Sequence, residues 1–155
     1  MLQQYTLEAL EERIGYQFHN IALLKQAITH SSFTNEQKIN RAKHYERLEF
    51  LGDSVLSLVV SRYLYTAYPD LAEGELTRLR AELVCERALS SFADRIHLGV
   101  YLLLGVGEEK NRGRERRSIL ADAFEALLAA IYLDGGIEEA KKFCLPYITD
   151  GDRQT

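Results

Sequence analysis

Cysteine and histidine are scarce in this chain: its 155 residues hold two cysteines and four histidines. Cys85 and Cys144 sit in helical patterns with no Cys-x-x-Cys pair, and the histidines do not cluster, so both cysteines read as free, buried or half-buried thiols. None of His19, His30, His44 and His97 falls in a Glu-x-x-His motif, which removes the ligand set of a di-iron helical bundle. Long apolar runs are missing as well. None approaches the roughly eighteen residues of a membrane span, and the start MLQQYTLEALEER does not read as a signal peptide. The expected setting is the cytosol, with no membrane partner. Alternating strand patterns are also missing; VYLLL is the one candidate and is too short for a sheet.

What remains is one domain, all-α, with enough residues to bury a core. Hydrophobic residues make up 46% and charged residues 27%, ordinary for a globular chain. LEALEERIG ends on Gly15 as a C-terminal cap, and NIALLKQAI opens on Asn20 as an N-cap. His30 and Ser31 then cap or end that second helix, with no catalytic role. A central helix runs from about Ala42 to Tyr68, stopped by Pro69. An amphipathic helix covers Glu73 to Ile96, the apolar SILADAFEALLAAIYLDGG ends at Gly135–Gly136, and IEEAKKFCLPYI closes the fold with a bend at Pro146. The domain is expected over residues 1–148, with the polar TDGDRQT of residues 149–155 opening a linker.

The net charge of −4, taken alone, argues against nucleic acid, but it is unevenly spread. Glu108 to Arg117, EEKNRGRERR, holds five bases against three acids, so the total divides into +2 for this loop and −6 for the rest. A basic loop beside an acidic site suits an anionic substrate.

The acidic site is legible in ERLEFLGDS. Glu46, Glu49 and Asp53 fall within about 60° of one another on a helical wheel. Leu48, Leu51, Val55, Leu58 and Val59 form an apolar stripe opposite, and Phe50, Leu56 and Val60 carry apolar surface onto the acidic side. These carboxylates therefore form a column on a mostly buried helix. From Ile119 to Leu133 the charged residues are Asp122 and Glu125, which share a face with Ala126, Ala129 and Leu133. Small alanines let a second helix come close, and the central helix with its own acids is the natural partner. Clustered carboxylates in a low-dielectric setting bind protons, pair with arginine (Arg78 or Arg80 here) or hold a divalent metal. Oxygen-only donors point to a hard ion, Mg²⁺ or Mn²⁺, and such a site suits phosphoester chemistry.

ERLEFLGDSVL, followed by ILADAFEALLAAIYLDGG, with AITHSSF, AEGELTRLRAELV and GEEKNRGRERR in order, resembles the ribonuclease III family in its bacterial form. The resemblance implies an all-α, homodimeric endonuclease domain that cleaves double-stranded RNA with Mg²⁺. It further implies 5′-phosphate and 3′-hydroxyl products with short 3′ overhangs. Glu49, Asp53, Asp122 and Glu125 match the family's metal-binding carboxylates, with Asp53 and Glu125 central to the chemistry. Glu46 matches a further acid that supports the site or the substrate, and Glu73 aligns with an acid near the RNA.

Two departures stand out. Tyr45 replaces an Asn common in relatives, and the double-stranded-RNA-binding domain that bacterial members carry after the nuclease domain is not in this sequence, which reads as a truncation. That module would supply much of the phosphate-neutralising charge. A-form RNA is then read by shape and 2′-hydroxyls more than by base sequence. Phe50 is either core or a dimer-interface anchor; the second would place the interface beside the active site and bring two sites together, one per strand. The basic loop is either a solvated hairpin or an RNA-backbone contact through Arg112, Arg114, Arg116 and Arg117. At the start of the Asp122 helix, Arg116 and Arg117 oppose the dipole and need compensation from phosphate or nearby acids. Two other readings are a non-cleaving RNA-binding relative and a helical protein whose acids are structurally paired with arginine.

Overall fold

The computed structural model describes residues 5–38 and 43–154. Among these, nine α-helices account for most of the chain, with no sheet: α1 Leu7–Ile14, α2 Ile21–Ala27, α3 Ser31–Gln37, α4 Glu46–Ala67, α5 Glu73–Leu83, α6 Glu86–Arg95, α7 Val106–Lys110, α8 Arg117–Gly135 and α9 Ile137–Gln154. Among the described residues no helix is long and apolar enough to cross a membrane.

Local chemistry sets the first boundaries. Thr6 caps α1 by accepting from the Ala9 N–H at 3.1 Å, and Gly15, at φ +73°, ends it in the left-handed conformation that needs no Cβ. Asn20 caps α2 as its side chain predicts. His30 instead caps α3, a helix not foreseen: its side chain accepts from the Ser32 N–H, and α2 stops at Ala27. The central helix begins at Glu46, later than its apolar pattern suggests. The Tyr45 N–H is held by the Thr29 carbonyl at 2.9 Å and the His44 imidazole accepts from the Glu46 N–H, so the preceding backbone is committed elsewhere. Ala42, the expected start, lies outside the described residues.

The long amphipathic stretch is two helices, not one. Val84 and Cys85 leave helical geometry, so α5 lies along α4 while α6 turns onto α8. The VYLLL segment forms a 3-10 turn over Leu98–Tyr101, after which Leu103 makes an isolated parallel bridge with Thr29. Residues 149–154, whose polarity reads as linker, continue α9. Asp152 is buried there and accepts from the Tyr63 and Tyr68 hydroxyls, both at 2.7 Å, which fastens the last turn to α4.

Helix α8 is the axis of the molecule. Ala123, Phe124, Ala126 to Ile131 are fully buried, and α4, α6 and α9 pack around them. A helix buried on nearly every side is apolar all round, which explains why α8 shows no clear polar face. Cys144 is buried and Cys85 half-buried, both free.

Candidate active site

The tightest contact between α4 and α8 sets the site. Gly52, in the middle of α4, lies against the backbone of Glu125: a Cβ built there would stand 1.9 Å from the Glu125 carbonyl oxygen and 2.6 Å from its carbon. A glycine inside a helix costs about 1 kcal/mol relative to alanine, so its presence at this crossing has a packing reason. The small side chains of Ala126 and Ala129 suggest the close approach lies there. Both are fully buried, but the residue without which the helices could not meet is Gly52.

That approach brings the carboxylates of Glu49, Asp122 and Glu125 together, with one oxygen from each within 4.8 Å of the others. Glu125 is 9% exposed and Glu49 and Asp122 are half-buried. Asp53 is exposed and neighbours Glu125, whose carboxyl hydrogen-bonds to it. Glu46, one turn before Glu49, is exposed and sits 3.8 Å from His44 Nδ1. A cleft of about 440 Å³ opens beside the cluster, lined by Tyr45, Glu46, Glu49 and Asp122, by Glu108 of α7 and by Arg116 at the start of α8.

Arginine does not neutralise this cluster. Among the described residues no guanidinium pairs with Glu49, Asp53, Asp122 or Glu125, and Arg80 donates instead to Ser61 Oγ at 2.9 Å. Burial instead favours the protonated forms of Glu49, Asp122 and Glu125. Burial, then Asp53, pushes the Glu125 carboxyl up to about 8; burial, then Asp122, pushes Glu49 up to about 7. Asp122 is raised too, chiefly by burial. Oxygen donors so close together, and so costly to ionise without a counter-charge, fit a hard divalent cation.

These acids titrate higher in the fold than unfolded, so their protonated forms favour the fold. Stability from this source is complete below the ordinary Glu range and is lost as pH rises toward 8. Metal-free protein is therefore expected to lose on the order of 2–3 kcal/mol between pH 5 and pH 8, after discounting for solvent at a half-open site. Thermal melts in a chelating buffer, repeated with excess Mn²⁺, check this; a melting temperature flat across that range contradicts it.

Residues 20–151 match the family described as Ribonuclease-III-like. The chain belongs to the ribonuclease III family. The protein named Ribonuclease 3 of Listeria innocua is 52% identical over 136 residues, covering 88% of this chain and 59% of that protein. Ribonuclease 3 of Oceanobacillus iheyensis is 50% identical over 149 residues, covering 94% and 65% respectively. The chain thus spans about three-fifths of these relatives' length. A solved nuclease domain of ribonuclease III from Campylobacter jejuni superposes with a TM-score of 0.87 at 43% identity, covering 94% of this chain and 98% of that one.

The remaining predicted residues of this ribonuclease III domain divide clearly. Arg114 is a brace: its guanidinium pairs with Glu109 and donates to the carbonyls of Gly99 at 2.9 Å and Leu102 at 2.8 Å. Arg116 and Arg117 begin α8, where acids supply the expected compensation: Glu108 lies 3.5 Å from Arg116 and Asp94 2.6 Å from Arg117. Arg112 is exposed, with a left-handed backbone at φ +59°. Glu73 is exposed at the first position of α5, outside the acid cluster. Phe50 is 79% exposed, so the core reading of it is wrong. Glu108 reads in the sequence as one more charge of the basic loop. One of its carboxylate oxygens is buried without a hydrogen bond, and it faces Arg116 in the cleft. Its place within a run of charges gives no sign of that.

Proposed function

We propose that this domain hydrolyses double-stranded RNA endonucleolytically, leaving 5′-phosphate and 3′-hydroxyl ends with short 3′ overhangs, as part of cytosolic RNA processing, including that of ribosomal RNA. The carrying observation is the cluster of Glu49, Asp122 and Glu125, with oxygens within 4.8 Å and no arginine partner among the described residues. With Asp53 these acids would hold one or two Mg²⁺ or Mn²⁺ ions. Such an ion supplies charge neutralisation at the phosphate and a lowered pKa for an attacking water. Holding it would require Glu49 and Glu125 to be ionised, against the burial that favours their protonated forms. Helix packing fixes both carboxylates, so no reorganisation is needed when charge develops. Glu46 and Arg116, at the cleft, guide the RNA strand; Arg112 and Arg117 add backbone contacts, and Glu73 borders the duplex. The remaining length of the relatives would provide the RNA-binding domain.

The active form is a homodimer. Phe50, Leu58 and Tyr65 stand exposed along α4, with Leu133 beside them on α8. Phe50 and Leu133 also line a groove with Leu23, Leu48 and Leu51, so one surface offers both an aromatic knob and an apolar recess. A two-fold axis would seat each Phe50 in the partner's groove. Phe50→Ala, truncating two anchors at about 2 kcal/mol each, is expected to weaken the dimer ~10²- to 10³-fold by sedimentation. A parent chain that remains monomeric at high micromolar concentration contradicts this arrangement.

Sizing both labelled strands of a perfect RNA duplex after incubation with Mg²⁺ tests the function. Staggered 5′-phosphate products are expected. An intact duplex, even in Mn²⁺ at high protein concentration and low salt, would reject the proposal.

A further inference from the structure

The cleft has a neutral donor edge that the chemistry above leaves without a task. Tyr45 is 3% exposed, and its ring meets that of His30 edge to face, with centroids 5.8 Å apart at 76°. His30 is itself locked. Its Nδ1 accepts from the Ser32 N–H at 3.1 Å and lies 2.7 Å from Ser32 Oγ, which in turn accepts from the Gly105 N–H at 2.8 Å. A backbone N–H can only donate, so Nδ1 is the acceptor and the proton of the neutral imidazole is on Nε2. Burial lowers the His30 pKa and keeps the ring in that neutral form.

Both residues line the cleft, yet the Tyr45 hydroxyl makes no hydrogen bond to another described residue. That hydroxyl stands in the field of Asp122, Glu49, Glu46 and Glu108, carboxylates from three different helices. The ring therefore lines the acidic cleft, packed against His30, while the backbone N–H of Tyr45 is held by the Thr29 carbonyl. A cationic donor here would pair with the acids, as Arg116 does with Glu108. A phenol stays neutral and keeps its hydrogen for an incoming acceptor. Duplex RNA presents backbone oxygens as its commonest acceptors.

We propose that Tyr45 is a substrate-binding residue, positioned by His30, whose hydroxyl donates a hydrogen bond to a phosphate oxygen of the RNA strand entering the cleft beside Glu46. This rests on the nuclease reading above. Tyr45→Phe removes the hydroxyl and leaves the ring packing in place. It is made in the parent chain, for kinetics, and in a Glu125→Gln background, for binding of duplex RNA at low salt with Mg²⁺. Affinity is expected to fall about 10- to 100-fold, the effect of one hydrogen bond to a charged acceptor. The kcat/KM of the parent falls by a similar factor carried by KM, with the melting temperature unchanged. Unaltered affinity and KM in a chain that cleaves duplex RNA would overturn this inference and leave the nuclease intact. So would a fall in kcat accompanied by a lower melting temperature, which marks a packing role. A parent that neither cleaves nor binds the duplex overturns both.

Discussion

Glu125→Gln is expected to lower duplex cleavage by at least about 10³-fold, the scale on which preorganised charge at a reacting phosphate contributes, while the folded protein becomes more stable in metal-free buffer. The two effects have one cause. Glu125 is nearly enclosed, its carboxyl is pushed up to about 8 by burial and by Asp53, and ionising it without a cation is costly. Glutamine keeps the shape and the hydrogen-bond donor toward Asp53 but can never become the anionic ligand. At pH 8 and above the melting temperature should rise, corresponding to about 1 kcal/mol or more, because repulsion with Glu49 and Asp122 is removed. A structural, arginine-paired acid would behave oppositely and lose stability on neutralisation. Melts of both proteins in chelating buffer at pH 6 and pH 8.5, with cleavage measured in parallel, separate the two.

Gly52→Ala is expected to be the most damaging small substitution in the chain. The new methyl would meet the Glu125 backbone, at 1.9 Å from its carbonyl oxygen, and neither partner is the end of a flexible side chain. Helices α4 and α8 must separate. Alanine improves helix propensity by about 1 kcal/mol, so a net loss shows that the contact dominates; the expected cost is about 3 kcal/mol, at the upper end for overpacking. Separation also draws Glu49 and Asp53 away from Asp122 and Glu125, and a shift of ~1 Å in such a set costs ~10² in rate. Any molecules that stay folded should therefore be poor catalysts. Urea unfolding and metal-dependent cleavage of the same preparation check both parts, and wild-type stability with wild-type rate would refute the packing argument.

The acid pattern was readable because helical period is local. Glu46, Glu49 and Asp53 share a face by spacing alone, and two acids in an otherwise apolar α8 have few reasons to be there. Caps at Gly15 and Asn20 are equally local, each involving atoms a few residues apart. What escaped depends on distant partners. Gly52 and Glu125 lie far apart in sequence, so nothing local marks the glycine as a point of helix contact. The break at Val84–Cys85 interrupts a helical pattern that continues across it, because the turn serves packing against two different helices. In the basic loop, a count of charges cannot show that Arg114 is occupied by carbonyls, or that a half-buried Glu108 faces Arg116. The polar residues 149–154 read as linker since the tyrosines that bind Asp152 belong to another helix. For Phe50 the wheel leaves core and interface open, since it borders both apolar and acidic residues, and the packed fold decides by leaving it outside.

The most direct test of the central claim sets the parent chain beside Glu125→Gln on an end-labelled perfect RNA duplex at low salt, in Mg²⁺, in Mn²⁺ and in EDTA. Staggered 5′-phosphate products that require Mg²⁺ or Mn²⁺ and vanish in the variant are the predicted result. Cleavage that persists in EDTA, or that the variant retains at the parent's rate, would contradict the assignment of the Glu49–Asp122–Glu125 cluster as the metal-holding reaction centre.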